Sequence, residues 1–127
     1  MATPRPKGIL LVEDEDELRS LFATLLQMEG FTVFEADDGD IGLEILRNHG
    51  ENIDLVMTDL NLPRLAGVEL IGMVRSIKPG VKVIGTSGIG GADIIRMVRQ
   101  AGADTFLPKP FAPQEAIRTV REMLAGS

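Results

Sequence analysis

The sequence predicts an α/β fold: five strand–helix units, (βα)5, wound about a parallel sheet with helices on both faces. Three observations predict it. Short, unbroken apolar runs recur along the chain, the pattern of strands buried on both sides. Between them lie segments whose apolar residues return every three or four positions, as on one face of a helix. The length of 127 residues suits one domain, long enough to bury a core and short of room for two.

Met1 to Lys7, which includes Pro4, Arg5 and Pro6 and has no apolar period, reads as a flexible tail before a domain over residues 8–125. Gly8 to Val12 is the first strand. Leu18, Leu21, Phe22, Leu25, Leu26 and Met28 give a helix over about 15–29, with Gly30 placed to end it in a left-handed cap. Thr32 to Ala36 is the second strand, and Asp38–Gly39 turns into a helix carrying Ile41, Leu43, Ile45 and Leu46. The third strand covers Ile53 to Thr58. A helix through Val68, Leu70, Ile71 and Val74 stops near Lys78-Pro79-Gly80, ahead of a fourth strand over Val81 to Thr86. Ile94, Ile95, Met97 and Val98 mark the next helix, Thr105 to Leu107 a short fifth strand, and Ala116 to Leu124 the closing helix.

Apolar residues make up 44% and charged ones 25%, which is globular composition. The absence of cysteine excludes disulfides, thiolate metal sites and a cysteine nucleophile. No stretch is long and apolar enough for membrane insertion, and residues 1–8 lack a signal peptide's apolar core, so a cytoplasmic location is expected. The net charge of −6 is uneven: 14 acidic residues face 4 basic ones up to Pro63, and 5 face 9 thereafter. The acidic half argues against wrapped nucleic acid and allows a site that gathers a cation.

Open parallel sheets bind ligands beyond the carboxyl ends of their strands, where strand order reverses. Here the strand ends carry Glu13-Asp14, Asp59, Ser87 and Lys109. If the first and third strands are neighbours, three carboxylates converge, and their repulsion calls for a cation. Mg2+ fits best, since it accepts one or two carboxylates alongside waters and phosphate oxygens. A carboxylate beside a divalent cation and an ammonium can attack a phosphoryl group and hold the charge that results. Lys109, pinned between Pro108 and Pro110, would be the ammonium, and Ser87 would donate a hydrogen bond to a phosphoryl oxygen.

Rival chemistries lack their signatures. Gly88-Ile89-Gly90-Gly91 opens a helix but has Asp93 where a dinucleotide fingerprint needs glycine, and no phosphate-binding P-loop occurs. Asn61 breaks the D-x-D of a dehalogenase-type phosphatase, and Pro63 and Arg64 break an EF-hand loop. His49, late in the second helix, reads as a helix-end residue and not a phosphodonor.

These residues resemble the receiver domain of two-component response regulators over Lys7 to about Leu124. The likeness rests on Ile9 to Glu15, on Met57-Thr58-Asp59-Leu60-Asn61-Leu62-Pro63 with Gly67 to Leu70, on Val83 to Gly88, and on Ala101-Gly102-Ala103 leading to Phe106 to Phe111. It implies a flavodoxin-like sheet of order 2-1-3-4-5. It implies Asp59 as phosphoryl acceptor, and Glu13, Asp14, Asp59 and the Asn61 main-chain carbonyl as Mg2+ ligands. Ser87 and Phe106 become switch residues, and Lys109 pairs with the phosphoryl group. Asn61 and Ile89 fall at positions that tune phosphoryl lifetime. Glu13, Ser87 and Phe106 stand where Asp, Thr and Tyr are more frequent.

The implied partners are a sensor histidine kinase or histidine phosphotransfer protein, docking over the first helix and the loop after the fifth strand. A downstream protein would read the helix 4/strand 5/helix 5 face, where Arg96, Arg99, Arg118 and Arg121 suggest an acidic patch on the partner. The protein is expected to be a monomer or weak dimer and a signalling switch, not a conventional enzyme. The alternative is a phosphorylation-independent interaction module, against which the intact Asp59, Ser87 and Lys109 set stands. Gly85, Gly88, Gly90 and Gly91 predict a mobile loop before the fourth helix.

Overall fold

The computed structural model describes residues 5–61, 67–88 and 92–125, with Ala92 as backbone only. Five strands, β1 (Gly8–Val12), β2 (Thr32–Ala36), β3 (Leu55–Asp59), β4 (Lys82–Ser87) and β5 (Thr105–Pro108), form one parallel sheet ordered β2-β1-β3-β4-β5. Five helices alternate with them: α1 (Asp16–Met28), α2 (Gly39–His49), α3 (Gly67–Ile77), α4 (Ala92–Ala101) and α5 (Pro113–Ala125). Every residue of β1 and β3 is buried, which is why those runs show no polar alternation.

Alternate side chains of each strand supply two cores, one on each face. Leu10, Val12, Val56 and Val83 pack under α2, α3 and α4 with Leu43, Leu46, Leu70, Ile71, Val74 and Val98. Ile9, Leu11, Leu55, Met57 and Ile84 pack under α1 and α5 with Phe22, Leu26, Ala116, Val120 and Leu124.

Helix ends follow the sequence signals. Asp38 caps α2 by accepting from the Ile41 amide at 2.8 Å, and Gly30 (φ +96°) lets the chain turn away after α1. Arg75 near the end of α3 donates to the Gly102 carbonyl at 2.8 Å and to Asp104 at 2.6 Å, and it also bonds the Val81 carbonyl. It thereby ties α3 to the residue just before β4 and to the turn between α4 and β5.

Several expectations need adjusting. The third strand begins two residues later than expected, because a 3-10 turn over Gly50–Asn52 precedes it and Asp54 spends its carboxylate on the Gly8 amide and Arg5. Leu21, Met28, Ile41 and Met97 are exposed and not core. Gly85 lies inside β4, where a Cβ would meet Val98 at 3.1 Å and Leu60 at 3.3 Å, so close packing accounts for it and not loop mobility. Ile89 and the loop expected to move through Gly90 and Gly91 lie outside the described residues, as do Leu62, Pro63 and residues 1–4 of the expected tail. Arg5 itself is bound to Asp54 through two hydrogen bonds of 3.0 Å.

Candidate functional site

Chain order reverses between β1 and β3, with β2 outside β1 and with β4 and β5 beyond β3. The ladder aligns Val12 with Thr58, so Glu13 and Asp59 leave its carboxyl edge together. Asp59 is in turn aligned with Thr86, and Ser87 with Pro108. The Lys109 amide then donates to the Ser87 carbonyl at 2.8 Å. Register alone therefore brings the acids, the hydroxyl and the ammonium to one edge, as their positions in the sequence predicted.

Glu13 and Asp59 are each only 5% exposed, while Asp14 faces solvent. Lys109 Nζ donates to Glu13 Oε1 at 2.7 Å and to Asp59 Oδ2 at 3.1 Å. Asp59 Oδ1 accepts from the Asn61 main-chain amide at 3.0 Å, and the Asn61 side-chain amide donates to Ser87 Oγ at 3.0 Å. Phe106 lies outside this cluster, half-buried opposite Gly85 and against the core beneath α4.

The electrostatics follow from that packing. Burial pushes the Glu13 carboxyl above its ordinary range and the Asp59 charge adds to this, while hydrogen bonds from Lys109 and the Glu15 amide offset only part of it. For Lys109, burial acts to lower the ammonium's pKa, but Glu13 and Asp59 together hold it above the usual lysine value. One oxygen each of Glu13, Asp14 and Asp59 lies within 4.8 Å of the others. When ionised, three carboxylates and one ammonium leave two negative charges, which a hard divalent cation balances with oxygen donors of the right kind. The cluster fits Mg2+.

Some supporting residues escaped the sequence reading. Arg19 donates to the Glu13 carbonyl and to Asp16, each at 2.8 Å, and so fixes the loop that carries the acidic pair. Its signal was available: it is the only basic residue between Lys7 and Arg47. The buried hydroxyls of Thr58 in β3 and Thr86 in β4 donate to the carbonyls of Asp59 and Thr58. His49 stacks on Phe34 with ring centres 5.4 Å apart, at the end of α2, which the sequence expected to be its place.

The family model described as the response regulator receiver domain matches residues 9–121. The chain belongs to this family, whose members are the phosphoacceptor domains of two-component signalling and normally bind Mg2+. It is 36% identical over 120 residues to the transcriptional regulatory protein CpxR of Escherichia coli K12, covering 94% of this chain and 50% of CpxR. It is 38% identical over 116 residues to the sensor kinase CckA of Brucella abortus, covering 91% of this chain and 12% of CckA. The chain thus spans half or less of the length of these two relatives. Among solved structures, the CheY-like receiver domain protein of Methanospirillum hungatei JF-1 superposes with a TM-score of 0.90 at 28% identity, covering 95% of each chain. A chain of the CheX-CheY-BeF3-Mg+2 complex of Borrelia burgdorferi does so with 0.88 at 25% identity, covering 94% of this chain and 90% of that one. No described helix is long and apolar enough to cross a membrane.

Proposed function

We propose that Asp59 is the phosphoryl acceptor of this receiver domain and that the domain comprises residues 8–125. The reading is carried by one observation: Lys109 Nζ stands between Glu13 and Asp59, with the Asp14 carboxylate within reach of both acids. The donor is a phosphohistidine of a sensor kinase or phosphotransfer protein. An Asp59 carboxylate oxygen attacks phosphorus, the P–N bond breaks, and the imidazole leaves with the electron pair and takes a proton from water.

Glu13, Asp14, Asp59 and the Asn61 carbonyl would hold Mg2+, which neutralises developing charge on the phosphoryl oxygens when bound. Lys109 then shifts its hydrogen bonds from carboxylate to phosphoryl oxygen, and Ser87 donates to another. The fold of the Borrelia burgdorferi complex that contains BeF3 and Mg2+ supports this assignment.

For the donor, α1 carries an apolar stripe of Leu18, Leu21, Leu25 and Met28, of which Leu18 lines an opening of about 220 Å3 together with Glu15, Lys109 and Phe111. Lys109, which lines that opening, also donates to Asp59. For the output, Ser87 and Phe106 on adjacent strands pass the change to α4, β5 and α5 of a cytoplasmic monomer or weak dimer. Arg96, Arg99 and Arg118 remain candidates for contact with an acidic partner, although Arg96 lies 3.4 Å from Asp93 and Arg118 4.0 Å from Glu122, and Arg121 donates to Glu29, just beyond α1, at 2.8 Å.

Intact mass after incubation with acetyl phosphate tests the acceptor. One phosphoryl adduct is expected with Mg2+, none when a chelator replaces it, and none on Asp59→Asn. An adduct that persists on Asp59→Asn removes the assignment.

A further inference from the structure

We infer that the side chain of Asn61 is a positioning residue that holds the Ser87 hydroxyl away from Asp59 in the unphosphorylated protein, so that loading the acceptor requires breaking this hydrogen bond. The inference rests on the roles proposed above for Asp59 and Ser87. Ser87 is 2% exposed, and its Oγ accepts from Asn61 Nδ2 at 3.0 Å, a pairing that spans 26 residues of chain. A buried hydroxyl that gives up a partner must find another, so the resting position resists displacement.

The surroundings point the same way. Ser87 and Asn61 line a cavity of about 120 Å3 between α3 and α4 with Leu60, Val68 and Ile94. Asp59 lines a different, smaller space with Glu13, Thr86 and Phe111, on the α1 side of the sheet. In this arrangement the hydroxyl is engaged on the α3–α4 side, while the acceptor is engaged with Lys109.

Asn61 divides its duties by atom. Its main-chain amide donates to Asp59 Oδ1 at 3.0 Å, and its side chain donates to Ser87. Truncating the side chain therefore leaves the amide on the acceptor and the carbonyl proposed for the metal. A phosphoryl group on Asp59 offers Ser87 charged acceptor oxygens, and the hydroxyl moves when that interaction outweighs the one from Asn61. The side chain thus sets how far the unloaded protein is biased toward rest.

Beryllofluoride with Mg2+ is the probe, with affinity measured by calorimetry on the wild type, Asn61→Ala, Ser87→Ala and the double variant. Asn61→Met, which fills similar space but cannot donate, serves as a second test of the lost hydrogen bond. Both Asn61 variants are expected to bind about 2- to 10-fold more tightly than wild type, the worth of one net hydrogen bond. In the Ser87→Ala background Asn61→Ala is expected to change nothing. Unaltered or weaker binding by the Asn61 variants overturns the inference, and so does an equal gain with and without the Ser87 hydroxyl. If the wild type itself takes up no beryllofluoride, the assignment of Asp59 fails and the inference falls with it; wild-type binding without coupling removes the inference alone.

Discussion

Three glycines show how differently one missing methyl group can matter. A Cβ on Gly8 would stand 1.7 Å from the Asn52 carbonyl oxygen, a main-chain atom that cannot yield without moving the 3-10 turn. On Gly85 it would meet only side-chain methyls, of Val98 and Leu60, and on Gly72, inside α3, it would meet nothing within 4 Å. Urea unfolding should therefore rank the alanine variants in order. Gly8→Ala should lose about 3 kcal/mol or more, Gly85→Ala about 1–2 kcal/mol, and Gly72→Ala should gain roughly 1 kcal/mol from helix propensity. Asp54 gives a pH signature. Burial works to raise its pKa, but the Arg5 and Gly8 hydrogen bonds outweigh burial and leave it below the ordinary value of 3.8. Since the folded pKa is the lower one, its stabilisation is fully present above the unfolded value and lost as pH falls through the folded value. The stability gap between wild type and Asp54→Asn should stay level from pH 7 to about pH 5 and close below about pH 4, as denaturant midpoints would show. At this scale the sequence revealed which residues reach the sheet edge but not which atoms meet. The Asn61 to Ser87 bond depends on side-chain rotamers, and no local pattern connects residues 26 apart.

Among the elements, α4 is the least anchored. Of its described residues only Val98 is buried, whereas α3 buries Gly67, Leu70, Ile71 and Val74. Hydrogen exchange should find the α4 amides the least protected among the helices, with α3 much slower; equal protection would remove the idea that α4 is the movable element. The strands were legible because burial on both faces leaves unbroken apolar runs such as Ile9-Leu10-Leu11-Val12. Helix faces were less so: Leu21 and Ile41 fit the apolar period yet are 49% and 41% exposed, since the period tolerates residues on the flank of a stripe. The turn over Gly50–Asn52 escaped notice because three polar or small residues carry no periodicity.

Over the whole molecule, the uneven charge acquires a place. Of the acidic residues up to Pro63, Glu13, Asp14 and Asp59 gather where strand order reverses, while others lie in α1 and α2 or, as Glu51 and Asp54, at the opposite edge of the sheet. The basic remainder includes α4 and α5, the helices proposed to face a partner. Strand order itself was legible only through the family likeness, because an alternating pattern of strands and helices fixes handedness and layers but not which strands are neighbours. The core under α1 and α5 joins the first and last elements of the domain: Ile9, Leu11, Phe22 and Leu26 are covered by Ala116, Val120 and Leu124. During synthesis, at about 5–20 residues per second, the first of these side chains waits on the order of ten seconds for the last to be made. Throughout that interval one face of the nascent sheet carries apolar surface with nothing of its own to cover it, the kind of exposure that makes an incomplete chain prone to aggregate.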